Sequence, residues 1–485
     1  MSRWRWVAAV VGLVIAVLVA VVLVRACQVE SPAVPAEQVD VQLDDPDEAV
    51  QRLSEAIQIP TVSPEDEDDI EPFVELREQL EEWFPRFHHE AQRQLVSDLT
   101  PHYTLEGADP DAKDVVFLAH KDVVPVEEGT EDDWTYPPFS GAVEEGYIWG
   151  RGTLDNKHNM MALLEAAEAM LEEGKRPQHT LHFVFGHDEE IGGMEGARVV
   201  ADNMKQQGLD VQAVYDEGLV VTDGIVPGVD EPLALVGIVE KGYLTVRLTA
   251  RGEGGHASMP PKDLAISNLL AAVSALETRP MPAAVDGPVE MMFDRAVAEM
   301  GFGHRAVFRN LWLFEPLVLS QMVDQPSSNA AVRTTAAPTV LRAGQTENVL
   351  PQTAEALVNF RIHPRDSIDD VMAYLEGLVG DEVQVEKLER MQSEPSPVAS
   401  VHSRGYEAIE TAFAEVFGDV ALAPSIVVAA TDARHFSGLT DDVYRFTPVV
   451  LDADDLERIH GTDERVGVEA YLDLVRYYHR LLRHW

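Results

Sequence analysis

Between residues 114 and 218, short runs that are apolar at nearly every position alternate with a longer run of helical spacing: "DVVFLAHKDVVPV", "NMMALLEAAEAMLEEG", "HTLHFVFG" and "QAVYDEG". A strand that is apolar on both sides must be covered on both sides. The pattern therefore constrains the chain to an α/β layer structure, with a mostly parallel sheet and helices on both faces. Ligands in such sheets gather beyond the carboxyl ends of the strands. His120, Glu189, Glu190 and Asp216 all follow strand ends and are placed to converge. One of these ends, "GHDEEIGG" (186–193), sets Asp188, Glu189 and Glu190 side by side. Adjacent carboxylates at the end of a buried strand resist ionising, so either a cation holds them or they lie in water.

The rest of the chain divides around this core. "AVQRLSEAIQIPTVS" has the spacing of a helix ended by Pro60, and a second helix is expected over 70–84. Near Lys241 the pattern changes: "YLTVRLTARG" alternates strictly, as a half-exposed strand does. A helix over 263–277, strands within "AAVRTTAAPTVLRAG" and "EALVNFRIHP", and a helix over 367–379 complete an antiparallel α+β module. From "SRGYEAIETAFAEVFG" the helix–strand alternation resumes. The expected organisation is an N-terminal anchor (1–27), an acidic, Pro-rich tether (28–48), a catalytic domain in two parts (49–240 and 391–485) and an inserted module (241–390).

The anchor rests on "WVAAVVGLVIAVLVAVVLV" (6–24), apolar, uncharged and about long enough to cross a bilayer. Arg3 and Arg5 precede it, which favours a cytoplasmic N-terminus and an extracytoplasmic catalytic part. No A-x-A site follows, so an uncleaved anchor is preferred over a signal peptide, and Arg25 makes a lipoprotein signal at Cys27 a poor match. With 84 acidic residues against 37 basic ones the formal charge is −47, which argues against nucleic acid or anionic lipid as partners. A surface adapted to high salt and an ordinary acidic surface both fit that excess. Cys27 is the single cysteine, so there is neither an internal disulfide nor a thiolate metal cluster, and any metal site must use His and carboxylates.

Nine motifs appear in order: "AHKDVVPV" (119–126), "WGRGTLDNKHNMMALLEA" (149–166), "GHDEEIGG" (186–193), "VYDEG" (214–218), "GGHASMPP" (254–261), "TENVLP" (346–351), "NFRIHP" (359–364), "TDARHF" (431–436) and "IHGTDERV" (459–466). In these the chain resembles the M20 family of metallopeptidases over residues 49–485, and most of all its carboxypeptidase S and N-acyl-amino-acid hydrolase branch. The resemblance implies a zinc-peptidase sheet with an inserted lid of the dimerisation type, and a centre of two Zn²⁺ ions, with Co²⁺ or Mn²⁺ also suited to His and oxygen ligands. It implies that His120 and Asp216 bind one metal, Glu190 and His460 the other, and that Asp155 bridges them. Asp122 would orient His120, and Glu189 would be the general acid/base. The Asp155–Asn156 peptide is often cis in the family. Such a set gives each metal one His, one carboxylate and the shared Asp155, and leaves a position open for water, as a catalytic site requires.

In the inserted module the resemblance implies that His256 donates to the oxyanion of the tetrahedral intermediate, from the partner subunit in dimeric relatives, and that Asn348 assists. Arg361 would hold the substrate's free carboxylate, with a lid salt bridge as its alternative role; Arg434 is a weaker candidate for the same task. The segment 280–322, with "HRAVFRNLWLFEPLVLSQM", either walls an acyl pocket, extends a homodimer surface or packs the lid. "PEDEDD" (64–69) reads as a solvated turn. The expected enzyme is a membrane-tethered di-zinc hydrolase. It would cleave the amide bond next to a C-terminal amino acid with a free carboxylate, as a carboxypeptidase on small peptides. The alternative is an amidohydrolase or synthase of N-acyl, including fatty-acyl, amino acids.

Overall fold

A computed structural model of the chain describes residues 3–28, 38–63, 70–380, 382–388 and 392–485. Residues 29–37 of the expected tether and all of "PEDEDD" lie outside the described residues.

An eight-stranded mixed sheet forms the centre, in the order 92–96, 100–105, 181–186, 114–120, 211–222, 443–451, 233–240, 421–427. The strands expected from the apolar runs are its middle: Asp114–His120 pairs in parallel with Leu181–Gly186 on one side and with Val211–Thr222 on the other. The sheet is less parallel than expected. The hairpin Gln92–Val96/Thr100–Leu105 adds an antiparallel edge, and Val443–Leu451 meets Leu233–Glu240 antiparallel.

Side chains alternate between the two faces of a strand. Val115, Phe117 and Ala119 join one buried cluster, under helices that include Lys157–Glu172 and Val468–Arg483. Val116 and Leu118 join another, under helix Ala197–Gln207. Helix Lys157–Glu172 lies almost entirely inside, which explains why its apolar residues surround the axis. Helix Pro46–Ile57 starts where Asp45 accepts the Glu48 N–H and Pro46 takes the first helical position.

A second, antiparallel sheet has the order 335–343, 353–362, 242–251, 383–387. The residues facing inward from strands Gly242–Arg251 and Thr353–Ile362 are buried against helices Ala265–Thr278 and Ile368–Val379, the latter opened by a Ser367/Asp370 capping box. Within the same stretch of chain, residues 285–332 do something different. Helix Gly287–Ala296 packs on strands 233–240 and 421–427 of the large sheet, and its Val289 and Phe293 share one buried cluster with those strands and with Val318 and Met322 of helix Leu311–Met322. The insertion thus covers the edge of the central sheet, whose last strand would otherwise expose unpaired backbone. Among the described residues one helix, Trp4–Cys27 at the N-terminus, is long and apolar enough to cross a membrane.

Candidate active site

The carboxyl ends of the central strands open into one cavity of about 950 Å³, lined by Asp155, Glu189, Glu190, Glu217 and His460 among others. His120 ends its strand and is buried. Its Nε2 lies 2.8 Å from Asp155 Oδ1, while Asp155 Oδ2 lies 2.9 Å from His460 Nε2. One carboxylate therefore bridges two imidazoles, an oxygen to each. His460 Nε2 is also 3.3 Å from Glu190 Oε2. The ligand atoms of His120, Asp155 and Glu190 lie within 4.8 Å of one another. The Asp155–Asn156 peptide is cis.

Asp122 holds this group from behind. Its carboxylate is 3.3 Å from His120 Nδ1 and accepts from Ser63 Oγ at 2.7 Å. It also accepts the backbone N–H groups of Glu189 and Glu190, at 3.3 and 3.1 Å. Asp122 thereby sets both the imidazole and the 189–190 turn, and leaves His120 Nε2 facing Asp155 and Glu217. The turn closes on Gly192 and Gly193, both at positive φ. A Cβ at Gly193 would collide with the Asp432 carboxylate, so only glycine fits this close approach.

The electrostatics call for a cation. Burial raises the carboxyl of Glu189 well above its usual range, His120 opposes this, and Asp432, Asp155 and Glu190 add to it. Glu217 and Asp432 are raised in the same way, first by burial and then by Asp216. Burial would lower His120, but the hydrogen bonds it donates to Asp122 and Asp155 outweigh it and hold its pKa well up. His460 is pushed up to about 10 by hydrogen bonds to Asp155 and Glu190. Glu190 Oε1, Glu217 Oε2 and Asp432 Oδ1 are buried without a hydrogen-bond partner among the described residues. Unpaired buried carboxylate oxygens are costly, and a bound divalent cation would satisfy them.

Other expected residues stand further off. Asp216 is buried, but its oxygens accept from the backbone N–H groups of Glu217 (2.9 Å) and Ala433 (2.8 Å). It is Glu217, its neighbour, whose Oε1 approaches His120 Nε2, at 3.9 Å. Arg361 and Arg434 line the cavity. The Arg361 guanidinium stacks 4.8 Å over the Tyr243 ring, and Arg434 donates to Gly192 O at 2.9 Å. His256 and Asn348 do not line it. They sit together on an exposed two-stranded ribbon, with His256 paired to Val349 and Ser258 Oγ 2.8 Å from His256 Nδ1. No residue of 280–322 lines the cavity either.

Sequence reasoning missed Glu217, Asp432 and the buried pair Arg151–Glu464. Glu464 Oε1 accepts the N–H groups of Gly152, Leu154 and Asp155 at 3.0, 2.8 and 3.2 Å. Its other oxygen pairs with Arg151, which donates to His460 O at 3.0 Å. One ion pair therefore ties the Asp155 turn to the His460 turn. All four residues lie in motifs already quoted; the signal was a second charged residue in each that a soluble turn does not need.

Comparison with known proteins identifies the family. Residues 116–484 match the model of peptidase family M20/M25/M40. The N-fatty-acyl-amino acid synthase/hydrolase PM20D1 of Xenopus tropicalis is 38% identical over 99% of this chain and 96% of its own. The probable carboxypeptidase S-like 2 of Dictyostelium discoideum is also 38% identical, over 90% of this chain and 85% of its own. Among solved structures, the M20 metallo-carboxypeptidase Sso-CP2 of Sulfolobus solfataricus shares the fold at a TM-score of 0.64 and 19% identity, covering 90% of this chain and 99% of that one. With a family match over most of its length and relatives that align almost end to end, the chain belongs to the M20 family and is a metallopeptidase/amidohydrolase.

Proposed function

We propose that the chain is a di-zinc amidohydrolase that cleaves N-acyl amino acids, with the amino acid's free carboxylate held by arginine. The observation that carries this is the composition of one cavity: the His–carboxylate cluster, Arg361 and Arg434, and an apolar wall of Leu219, Val427, Val428 and Val449 border the same space. The relative named for N-fatty-acyl-amino acids, aligned over 99% of the chain, supports an acyl group against that wall. Carboxypeptidase action on small peptides is the second reading, favoured by the carboxypeptidase S-like relative.

The donor set fits zinc: imidazole and carboxylate, no thiol, and carboxylate oxygens left unpaired at the cluster. His120 and Asp216 would hold one ion, His460 and Glu190 the other, and Asp155 both; Co²⁺ or Mn²⁺ would suit the same ligands. Bound there, the metals would polarise the scissile carbonyl and acidify water. Glu189, in the cavity wall, takes the water proton and returns it to the leaving nitrogen. Arg361 is held flat by Tyr243, with no salt bridge among the described residues, which leaves its fork free for a carboxylate. His256 and Asn348 would serve the oxyanion only in a homodimer that brings their ribbon over another subunit's cavity.

We also read residues 49–240 and 391–485 as the catalytic domain, 241–390 as the lid, and Trp4–Cys27 as a membrane span with the catalytic part outside the cytoplasm. The test is Arg361→Met assayed on an N-acyl amino acid and on its methyl ester. The reading predicts a rise in KM for the acid of at least tenfold, about 1.4 kcal/mol, and little change for the ester. Equal effects on both would remove Arg361 from carboxylate binding.

A further inference from the structure

The segment 302–310 packs against the N-terminal helix. Leu18, Val22 and Ala26, four residues apart, are the less exposed positions along the outer end of that helix, and Ala26 is buried. Helix Phe302–Phe308 lies against it. Asn310 Nδ2 donates to Val22 O at 3.3 Å, and the Arg309 guanidinium to Gln28 O at 3.4 Å. Val22 is inside the apolar run, whose last residue is Val24. At a rise of about 1.5 Å per residue, Asn310 therefore meets the helix about 3 Å below the end of that run.

Helix Leu311–Met322 starts at the next residue. Val318 and Met322 point into the protein. The opposite face carries Trp312, Leu313 and Leu317, which are 54%, 41% and 53% exposed, with Pro316 between them. Glu315 is the helix's single charged residue; it is turned partly inward, where Oε1 accepts from Val285 N–H at 3.4 Å. A continuous apolar face with a Trp at its start, set beside the outer end of a membrane-length helix, is what an interfacial helix presents to lipid.

We propose that the outward face of Leu311–Met322 lies in the outer interfacial layer of the bilayer crossed by the N-terminal helix, so that the chain meets the membrane at two places. The proposal rests on the reading of Trp4–Cys27 as a span. Its occupant is a lipid surface, engaged by apolar contact. A formal charge of −47 disfavours electrostatic attraction to anionic headgroups, so zwitterionic lipid suffices. Docking of this kind bears on the whole sheet, because Val318 and Met322 of the same helix share a buried cluster with helix Gly287–Ala296 and strands 233–240 and 421–427.

The test uses the full chain with Cys27→Ser, reconstituted in phosphatidylcholine nanodiscs and spin-labelled at single cysteines. Leu317→Cys and Trp312→Cys probe the face, and Leu13→Cys probes the span. Leu95→Cys is the aqueous control, at the far edge of the eight-stranded sheet and about 30 Å away at a strand spacing of about 4.8 Å. Collision rates with oxygen and with a water-soluble nickel chelate are compared. The proposal predicts an oxygen-to-nickel ratio at 312, 317 and 13 several-fold above that at 95. A lipid-like ratio at 13 with water-like ratios at 312 and 317 would overturn the proposal and leave the span standing. A water-like ratio at 13 would overturn the span and the proposal together.

Discussion

Replacing Glu464 by glutamine tests whether the two halves of the His–carboxylate cluster are held by one ion pair. Glu464 is fully buried, three backbone N–H groups meet one of its oxygens, and Arg151 meets the other. Burial pushes its carboxyl up to about 7, against the pull of Arg151 and the Leu154 N–H. Yet both oxygens already face donors, and a carboxyl proton would have no acceptor; the hydrogen bonds select the ionised form. In Glu464→Gln the amide oxygen can keep the backbone donors, but its NH₂ then faces the guanidinium and leaves a buried charge unpaired. Breaking a buried pair in this way costs about 3–5 kcal/mol. Because Arg151 also holds His460 O, and Glu464 the Asp155 N–H, zinc affinity should fall about 10–100-fold, the usual effect of removing a ligand's supporting partner. Urea unfolding measures the first loss and zinc competition with a chelator the second. The double variant Arg151→Met/Glu464→Leu should recover stability, since no charge is left unpaired, but not metal affinity. A Glu464→Gln protein within about 0.5 kcal/mol of wild type, with unchanged zinc affinity, would refute the reasoning.

Two further outcomes follow from charge. Burial, helped by the neighbouring His182, lowers His102 from 6.5 to about 4, so between those values the unfolded chain binds more protons than the folded one. Stability should therefore fall as pH drops from 6.5 to 4; thermal unfolding should show it, with a shallower slope in His102→Gln. The formal charge of −47 repels itself across the surface, so the melting temperature should rise as KCl is raised toward molar concentrations; a flat or falling curve would remove the high-salt reading.

What the sequence made legible was what local pattern determines. The strands Asp114–His120 and Leu181–Gly186 were readable because both faces are buried, and the antiparallel module because Gly242–Arg251 alternates. The edge strand Gln92–Val96 was not, because four of its five residues face solvent and carry no apolar period. At the site, residues quoted for family roles emerged around one bridging carboxylate, Asp155. Glu217, Asp432 and Glu464 stayed hidden because their partners are distant in sequence: Glu464 meets residues 151–155 only in the fold. The apolarity of 304–322 was visible, but its surroundings, the N-terminal helix beside 302–310 and the buried cluster that Val318 and Met322 join at the sheet's edge, were not.

The central claim is that this cluster hydrolyses an acyl amino acid through Glu189. The most direct measurement is kcat/KM of the zinc-loaded full chain in detergent, by mass spectrometry. The substrates are a long-chain N-acyl-phenylalanine and an N-blocked dipeptide, with Glu189→Ala and its zinc content alongside. The account predicts faster turnover of the acyl amino acid, and in Glu189→Ala a loss of about 10²–10⁴-fold at unchanged zinc content. A preference for the dipeptide would contradict the substrate and make the enzyme a carboxypeptidase. A zinc-loaded Glu189→Ala protein that keeps the wild-type rate would contradict the mechanism itself.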